Sequence, residues 1–153
     1  MRLALHQPDQ AGNVGTILRL AACLDVPVDV IEPCGFPWAD RALRRAGMDY
    51  AEIANVTRHE SWERFAEHAA GRIVLLTTKG DVRIDQAELR STDILLLGSE
   101  SSGVPEALHG RADLRVRIPQ ASGTRSLNIA VAAGIALAEA LRQTEGWPKD
   151  LPS

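Results

Sequence analysis

The residues best suited to hold or activate a ligand stand together near the end of the chain. Thr124, Arg125, Ser126 and Asn128 directly precede residues 129–137, a run that is apolar on every side. A helix without a polar face must be buried by other parts of the protein or by a second copy. Since the first N–H groups of a helix lack intrahelical partners, polar groups are expected there. Ser126 is the expected N-cap, and Asn128 is expected inside the first turn.

A second candidate group follows the first apolar run. Asn13 lies between Gly12 and Gly15, and glycines allow a sharp turn and a close backbone approach. Arg19 is the single charge of the next helical stretch, residues 16–24, and its planar guanidinium suits a phosphate or a carboxylate. A solvent-exposed arginine is the ordinary alternative. Its place one turn after the asparagine favours a functional role.

The third candidate is a loop of small residues after the apolar run 94–97. Gly98 and Gly103 enclose three serines and one carboxylate, Glu100. The loop has neither the G-x-G-x-x-G fingerprint of dinucleotide sites nor the lysine of a Walker A loop. An acidic side chain suits a phosphate poorly. A ligand with hydroxyl groups or a positive centre is therefore favoured.

Composition bounds the possible functions. The 153 residues are expected to form one domain, with residues 146–153 as a loose tail. The net charge of −3 does not support nucleic-acid binding, although the distribution of charge matters more than its sum. Histidines and cysteines show no metal-ligand spacing, so no metal site is expected. No run could span a bilayer and no signal peptide is recognisable, so a cytoplasmic location is expected.

Alternating apolar runs and amphipathic stretches must position these candidates. Strands are predicted at 3–5, 28–31, 73–76, 94–97 and 116–118, with a weaker one near 52–56. Helices are predicted at 14–24, 40–46, 61–70, 85–89 and 127–142. This alternation is typical of an α/β fold with a mostly parallel sheet and helices on both faces. Ligands of such sheets bind beyond the carboxyl ends of strands, where residues 7–15, 77–80, 98–105 and 119–126 are expected.

The three groups, in this order, resemble the SPOUT superfamily of RNA methyltransferases, in its SpoU branch. The matching residues are Asn13-Val14-Gly15 with Arg19, the loop 98–103 around Glu100, and Ser126-Leu127-Asn128. Residues 31–50 and 76–80, with the minimal length, are similar to tRNA (cytidine/uridine-2′-O-)-methyltransferases that act on the wobble nucleotide. The resemblance covers nearly the whole chain.

This resemblance implies a C-terminal deep trefoil knot, S-adenosyl-L-methionine bound in a bent form, and an obligate homodimer with sites at the subunit interface. The implied substrates are tRNAs, with leucine tRNAs expected, and the implied target is a wobble cytidine or modified uridine. Catalytic and structural positions carried over to this chain are Arg19, Asn13, Glu100 and Asn128. Cofactor-binding positions carried over are Leu76, Thr77, Gly98, Ile118, Ser126 and Leu127.

A tRNA partner requires local positive charge despite the acidic balance. Arg41, Arg44 and Arg45 have helical spacing and share one face. Contacts to the anticodon stem-loop are expected from Arg41, Arg44, Arg45, Arg58, Lys79 and Arg125. A solvated basic face is the ordinary alternative.

In the implied reaction, a ribose hydroxyl attacks an activated methyl group. Arg19 is expected to contact the phosphate beside the target ribose, and that phosphate is a candidate proton acceptor because arginine stays protonated. Three alternatives remain open at this stage. They are methylation of ribosomal RNA or another tRNA position, a SPOUT-fold protein that only binds RNA, and a nucleotide-binding α/β protein.

Overall fold

A computed structural model describes residues 1–39, 41 and 54–150. Within these residues, seven strands pair in parallel in the order β3-β2-β1-β6-β4-β7-β5. The strands are β1 (Arg2–His6), β2 (Val28–Ile31), β3 (Val56–His59), β4 (Ile73–Leu76), β5 (Val82–Arg83), β6 (Ile94–Leu97) and β7 (Leu114–Arg117).

Helices cover both faces of the sheet. They are α1 (Ala11–Cys23), α2 (Trp62–His68), α3 (Glu106–His109) and α4 (Ile129–Thr144), with a 3-10 turn at Ile84–Gln86. Leu95 and Leu97 of β6 pack on the side of α1 and α4, whereas Leu96 packs with Trp62 and Phe65 of α2. Successive strand residues point to opposite faces, so a central strand buried on both sides must be apolar throughout. The predicted fold class, α/β with a mostly parallel sheet covered on both faces, is confirmed.

Several predicted boundaries are wrong. The weak strand near 52–56 lies at Val56–His59, and the predicted helix 85–89 is the short 3-10 turn. Strand β5 and helix α3 were not predicted; at two and four residues they are too short for any periodicity. The predicted helix 40–46 lies outside the described residues, except for Arg41.

The starts of the two long helices also differ from the prediction. Helix α1 begins at Ala11, so Asn13 and Gly15 lie in its first turns and not in a preceding loop. The glycines cost about 1 kcal/mol each in a helix, but burial of Val14 and Ile17 outweighs this cost. Helix α4 begins at Ile129, and its N-cap is Asn128, not Ser126.

Candidate functional site

A cavity of about 720 Å³ lies beyond the carboxyl ends of β4, β6 and β7. Its walls come from the loops that follow these strands and from the first turns of α1 and α4. The volume falls within the range of about 300–1,000 Å³ that small-molecule sites occupy. All six predicted cofactor positions line the cavity: Leu76, Thr77, Gly98, Ile118, Ser126 and Leu127.

Three of the four predicted catalytic positions meet in one hydrogen-bonded chain at the cavity. Asn128 Nδ2 donates to Asn13 Oδ1 over 3.0 Å, and Asn13 Nδ2 donates to Glu100 Oε1 over 3.2 Å. These residues come from the start of α4, the first turn of α1 and the loop after β6. These hydrogen bonds join three segments that are distant in sequence, and they fix the orientation of both amide groups.

Asn128 also closes the first turn of α4. Its Oδ1 accepts from Ala130 N–H over 2.8 Å and from Val131 N–H over 3.4 Å. An asparagine is among the preferred N-cap residues because its oxygen satisfies these orphan donors. The Asn128 side-chain oxygen therefore caps α4, and its amide nitrogen donates to Asn13 of α1.

Asp9, which sequence reasoning missed, holds the Glu100 loop in place. Its N–H donates to Glu100 Oε2 over 3.0 Å, and its Oδ2 accepts a hydrogen bond from the Ser101 hydroxyl. Burial, followed by the neighbouring Asp9 carboxyl, raises the pKa of Glu100. The contacts with Glu100 and Ser101 lower the pKa of Asp9. Glu100 therefore keeps its proton to a higher pH than an ordinary glutamate.

The loop after β6 is a tight turn closed by its own backbone. Ser99 and Gly103 exchange N–H···O bonds of 3.2 and 2.9 Å. A Cβ on Gly98 would lie 2.3 Å from the carbonyl carbon of Gly103, and Gly103 itself has φ +66°. Both positions require glycine, one for space and one for backbone conformation.

The loop after β4 forms the opposite wall. Thr77 N–H donates to the carbonyl of Val116 over 2.9 Å, which continues the pairing of β4 with β7. Lys79 forms an ion pair with Glu106 over 3.7 Å, between two largely exposed side chains. This wall thus carries charge at its rim and apolar Leu76 at its base.

The loop before α4 is ordered by a side chain that the sequence analysis did not single out. Gln120 Oε1 accepts from Leu127 N–H over 3.0 Å, and both residues line the cavity. Gln10 and His109 line it as well. A lone glutamine or histidine outside a motif carries no sequence signal, so these residues become visible only in three dimensions.

Arg19 stands apart from the other three catalytic positions. It is exposed on α1 and is not among the described residues that line the cavity. Six residues separate it from Asn13, or about 240° around a helix at 100° per residue, so the two side chains point to different sides.

The predicted RNA-binding residues are spread over the surface. Arg58 lies on β3 and pairs with Glu32, whereas Lys79 follows β4. Four strand spacings of about 4.8 Å separate β3 from β4, so the segments that carry these two residues are about 19 Å apart across the sheet. Arg41 and Arg125 are exposed, and Arg44 and Arg45 lie outside the described residues.

Neither a metal site nor a membrane span is found in the parts of the chain that the structure describes. Among residues 1–39, 41 and 54–150, no three histidine, cysteine or acidic side chains form a metal-binding group. No helix in the same ranges has the length and apolar character needed to cross a membrane.

Known protein families and curated proteins include relatives of this chain. The model of the SpoU rRNA methylase family matches residues 1–138. A curated relative from Ancylobacter novellus, named tRNA (cytidine(34)-2′-O)-methyltransferase, is 49% identical over 152 residues, which cover 97% of this chain and 96% of the relative.

Solved structures of similar sequence share this fold. One, from work on the 2-OH methylation of C/U34 on tRNA, is 38% identical with a TM-score of 0.87 and covers 93% of this chain and 94% of its own. The SpoU methyltransferase AviRb from Streptomyces viridochromogenes, solved with the cofactor AdoMet, is 26% identical with a TM-score of 0.79, over 94% of this chain and 57% of that one. With the family model matched over most of its length, the chain belongs to the SpoU methylase family.

Proposed function

We propose that the protein is an S-adenosylmethionine-dependent tRNA methyltransferase that methylates the ribose 2′-oxygen of the wobble nucleotide. The target is cytidine or modified uridine, and leucine tRNAs are the expected substrates. The observation that carries the proposal is the convergence of Asn13, Glu100 and Asn128 on a cavity lined by all six expected cofactor positions. The name of the Ancylobacter relative supports the same reaction.

The cavity suits S-adenosylmethionine in size and in chemistry. It combines an apolar base with hydroxyl, amide and backbone groups, as a nucleoside joined to an amino acid requires. When bound, the cofactor supplies a methyl group already activated on a sulfonium. The protein then has to align the ribose oxygen, and such positioning can lower a barrier by about 7–11 kcal/mol.

In this proposal, the hydrogen bonds that join Asn13, Glu100 and Asn128 orient the polar side of the cavity beside the target ribose. Glu100 holds Asn13 from one side and Asn128 holds it from the other, so the Asn13 amide cannot rotate. Arg19 contacts the phosphate next to the ribose, and that phosphate accepts the proton. Because Arg19 does not line the cavity of its own chain, this role needs a second subunit.

A homodimer is therefore part of the proposed function. Val131 and Ile135 of α4 are 50% and 39% exposed, and Leu127, two residues before α4, is 38% exposed. Spacing of four places Val131 and Ile135 on one face of the helix, and together with Leu127 they form an apolar stripe beside the cavity. A second copy packed on the stripe would bury it and would bring the two active sites to the interface.

The proposed knot and cellular location belong to the same assignment. The segments that follow β4, β6 and β7 wrap one cavity, which is compatible with a C-terminal segment threaded through a loop at this place. A tRNA substrate in turn calls for a cytoplasmic enzyme.

Methyl transfer from labelled S-adenosylmethionine to bulk tRNA tests the proposal. We expect 2′-O-methylation of the wobble nucleotide, mapped in tRNA from a deletion strain and again after treatment with the purified protein. An Asn13→Ala variant should bind the cofactor yet transfer methyl groups far more slowly. Methylation of ribosomal RNA, or of another tRNA nucleotide, would contradict the substrate. Cofactor binding without any transfer would indicate a non-catalytic protein.

A further inference from the structure

A stacked group of side chains lies beside the loop that carries Asp9. The Phe36 and Trp38 rings are stacked, with centroids 6.2 Å apart and planes 25° apart. The guanidinium carbon of Arg58 lies 5.0 Å from the centre of the Trp38 ring. We call Phe36, Trp38 and Arg58 the aromatic shelf.

Glu32 keeps the guanidinium of the aromatic shelf in a fixed orientation. Its Oε1 accepts from Arg58 Nε over 3.1 Å and also from Nη2. Arg58 remains 44% exposed, whereas Glu32 is 25% exposed. One edge of the guanidinium is therefore held by the carboxylate while much of the side chain stays accessible. Exposed ion pairs contribute little to stability, so stability alone is a weak explanation for this arrangement.

The aromatic shelf is anchored to the active-site loops. Gly35 N–H donates to the carbonyl of Pro8 over 2.9 Å, and a Cβ on Gly35 would lie 2.6 Å from Asp9 Cβ. Asp9 in turn binds Glu100. Trp38 follows Gly35 by three residues, so it begins within about 11 Å of this contact along an extended chain.

Aromatic side chains are scarce in this protein, which makes their placement informative. The chain has three tryptophans, two phenylalanines and one tyrosine. Trp62 and Phe65 are buried, whereas both rings of the aromatic shelf pack against the core but are only partly buried. Unpaired RNA bases stack on aromatic rings and on arginine planes, and such stacking tolerates any base.

We propose that the aromatic shelf stacks a nucleobase of the RNA substrate next to the target nucleotide. The inference rests on the proposed function for the identity of the RNA. One unpaired base of the anticodon loop lies with its flat face against the aromatic shelf. The remaining N–H groups of Arg58 face the neighbouring phosphate. The aromatic shelf thereby sets how far the loop enters the site.

The test compares Arg58→Lys and Trp38→Leu with wild type, because lysine keeps the charge but loses the planar stack. Loss of base stacking should weaken binding of an anticodon stem-loop RNA by about 5- to 150-fold. The dependence of affinity on salt should change little for Arg58→Lys, since the number of cations is unchanged. The Kd for S-adenosylmethionine should also stay within twofold. Arg64→Lys is the control, because Arg64 is an exposed arginine paired with Glu67 outside the shelf.

Tryptophan fluorescence gives a second measurement. In a Trp147→Phe background, Trp38 and the buried Trp62 remain. We expect the stem-loop RNA to quench the emission, and we expect Trp38→Phe to remove that quenching.

The outcomes separate the aromatic shelf from the proposed function. RNA affinities within twofold of wild type for both shelf variants, or an equal loss in Arg64→Lys, would overturn the shelf. Absence of quenching, or loss of cofactor binding in Trp38→Leu, would do the same. If wild type quenches on RNA but never methylates tRNA, the proposed function fails while the shelf stands.

Discussion

At the residue scale, Asn128 serves two partners with one amide. Its oxygen caps α4, and its nitrogen donates to Asn13 at the cavity. The two roles can be separated, because serine supplies a capping oxygen but no amide nitrogen.

Substitutions of Asn128 should therefore divide stability from activity. Asn128→Ala removes the cap and should lower the free energy of unfolding by about 1 kcal/mol, or Tm by about 2–4 °C. Asn128→Ser should have a free energy of unfolding close to that of wild type. Both variants should have a lower kcat than wild type, because neither side chain donates an amide hydrogen bond to Asn13. Thermal unfolding at equal protein concentration and methyl-transfer rates check this. A fully active Asn128→Ser would show that the link to Asn13 has no catalytic consequence.

The Glu100 carboxyl makes stability depend on pH. Its pKa is raised in the folded state from the ordinary value of 4.5, mainly by burial and then by Asp9. Between pH 4.5 and the raised pKa, the folded protein holds a proton that the unfolded chain has released. The stability that this proton supplies is complete below the ordinary pKa and is lost as pH rises through the raised pKa. Asp9 has the opposite sign, because its lowered pKa stabilises the fold above 3.8 and less at lower pH.

Glu100→Gln should remove the loss of folding stability that Glu100 causes as pH rises. We expect this variant to gain stability relative to wild type as pH rises from 4.5 toward neutrality, measured by denaturant unfolding across pH. Glu106→Gln is the control, since Glu106 lines the same cavity with a side chain that is 79% exposed. An unchanged slope in Glu100→Gln would mean that the Glu100 carboxyl is not the group responsible.

At this scale the sequence predicts residues that belong to motifs and misses those that support them. Asn13, Glu100 and Asn128 have recognisable contexts, and the structure brings them together. Asp9 and Gln120 act through contacts with residues 91 and seven positions away, and no spacing rule connects either pair. Their roles depend on the fold.

At the element scale, the turn after β6 depends on the absence of a side chain at Gly98. A Cβ there would meet backbone atoms of Gly103 and Val104 at 2.3 and 2.5 Å, and backbone cannot step aside as a flexible side chain can. The turn would have to open.

Gly98→Ala should therefore destabilise the protein and abolish cofactor binding, measured by thermal unfolding and calorimetry. Gly12→Ala is the matched control, because a Cβ on Gly12 meets nothing within 4 Å and the residue lies in α1. That change should stabilise the protein by about 0.5–1 kcal/mol. Intact cofactor binding in Gly98→Ala would show that the turn tolerates opening.

The elements themselves were predictable where they are long or buried on both sides. Strands β2, β4 and β6 have the predicted boundaries because β4 and β6 are uninterrupted apolar runs and β2 is apolar except for Asp29. The start of α1 was wrong because glycines usually weaken helices, and packing against the sheet overrides that preference here. Local patterns do not include that contact.

At the scale of the whole molecule, the apolar stripe on α4 predicts the oligomeric state. Val131→Glu and Ile135→Glu place a charge on the stripe and should convert a dimer into monomers, measured by sedimentation. Arg125→Glu is the control, because it changes an exposed charge just before α4 without touching the stripe.

Mixed dimers give the functional counterpart. An Arg19→Ala subunit and an Asn13→Ala subunit, each expected to be far slower than wild type alone, should recover part of the activity when combined, because one site then has both residues from different chains. Full activity of an isolated monomer would refute the shared site, and so would near-normal turnover of Arg19→Ala with saturating tRNA.

The bond between Asn128 and Asn13 spans 115 positions of the chain. Closing so long a segment is entropically costly, so we expect the polar centre to form after the strands between these positions. We therefore expect a partly folded chain, in which this bond has not formed, to bind the methyl donor weakly. Captured donor should add about 2.7 kcal/mol of resistance to unfolding at a hundredfold excess over Kd. Ligand uptake during refolding thus reports when the last contacts of this polypeptide are complete.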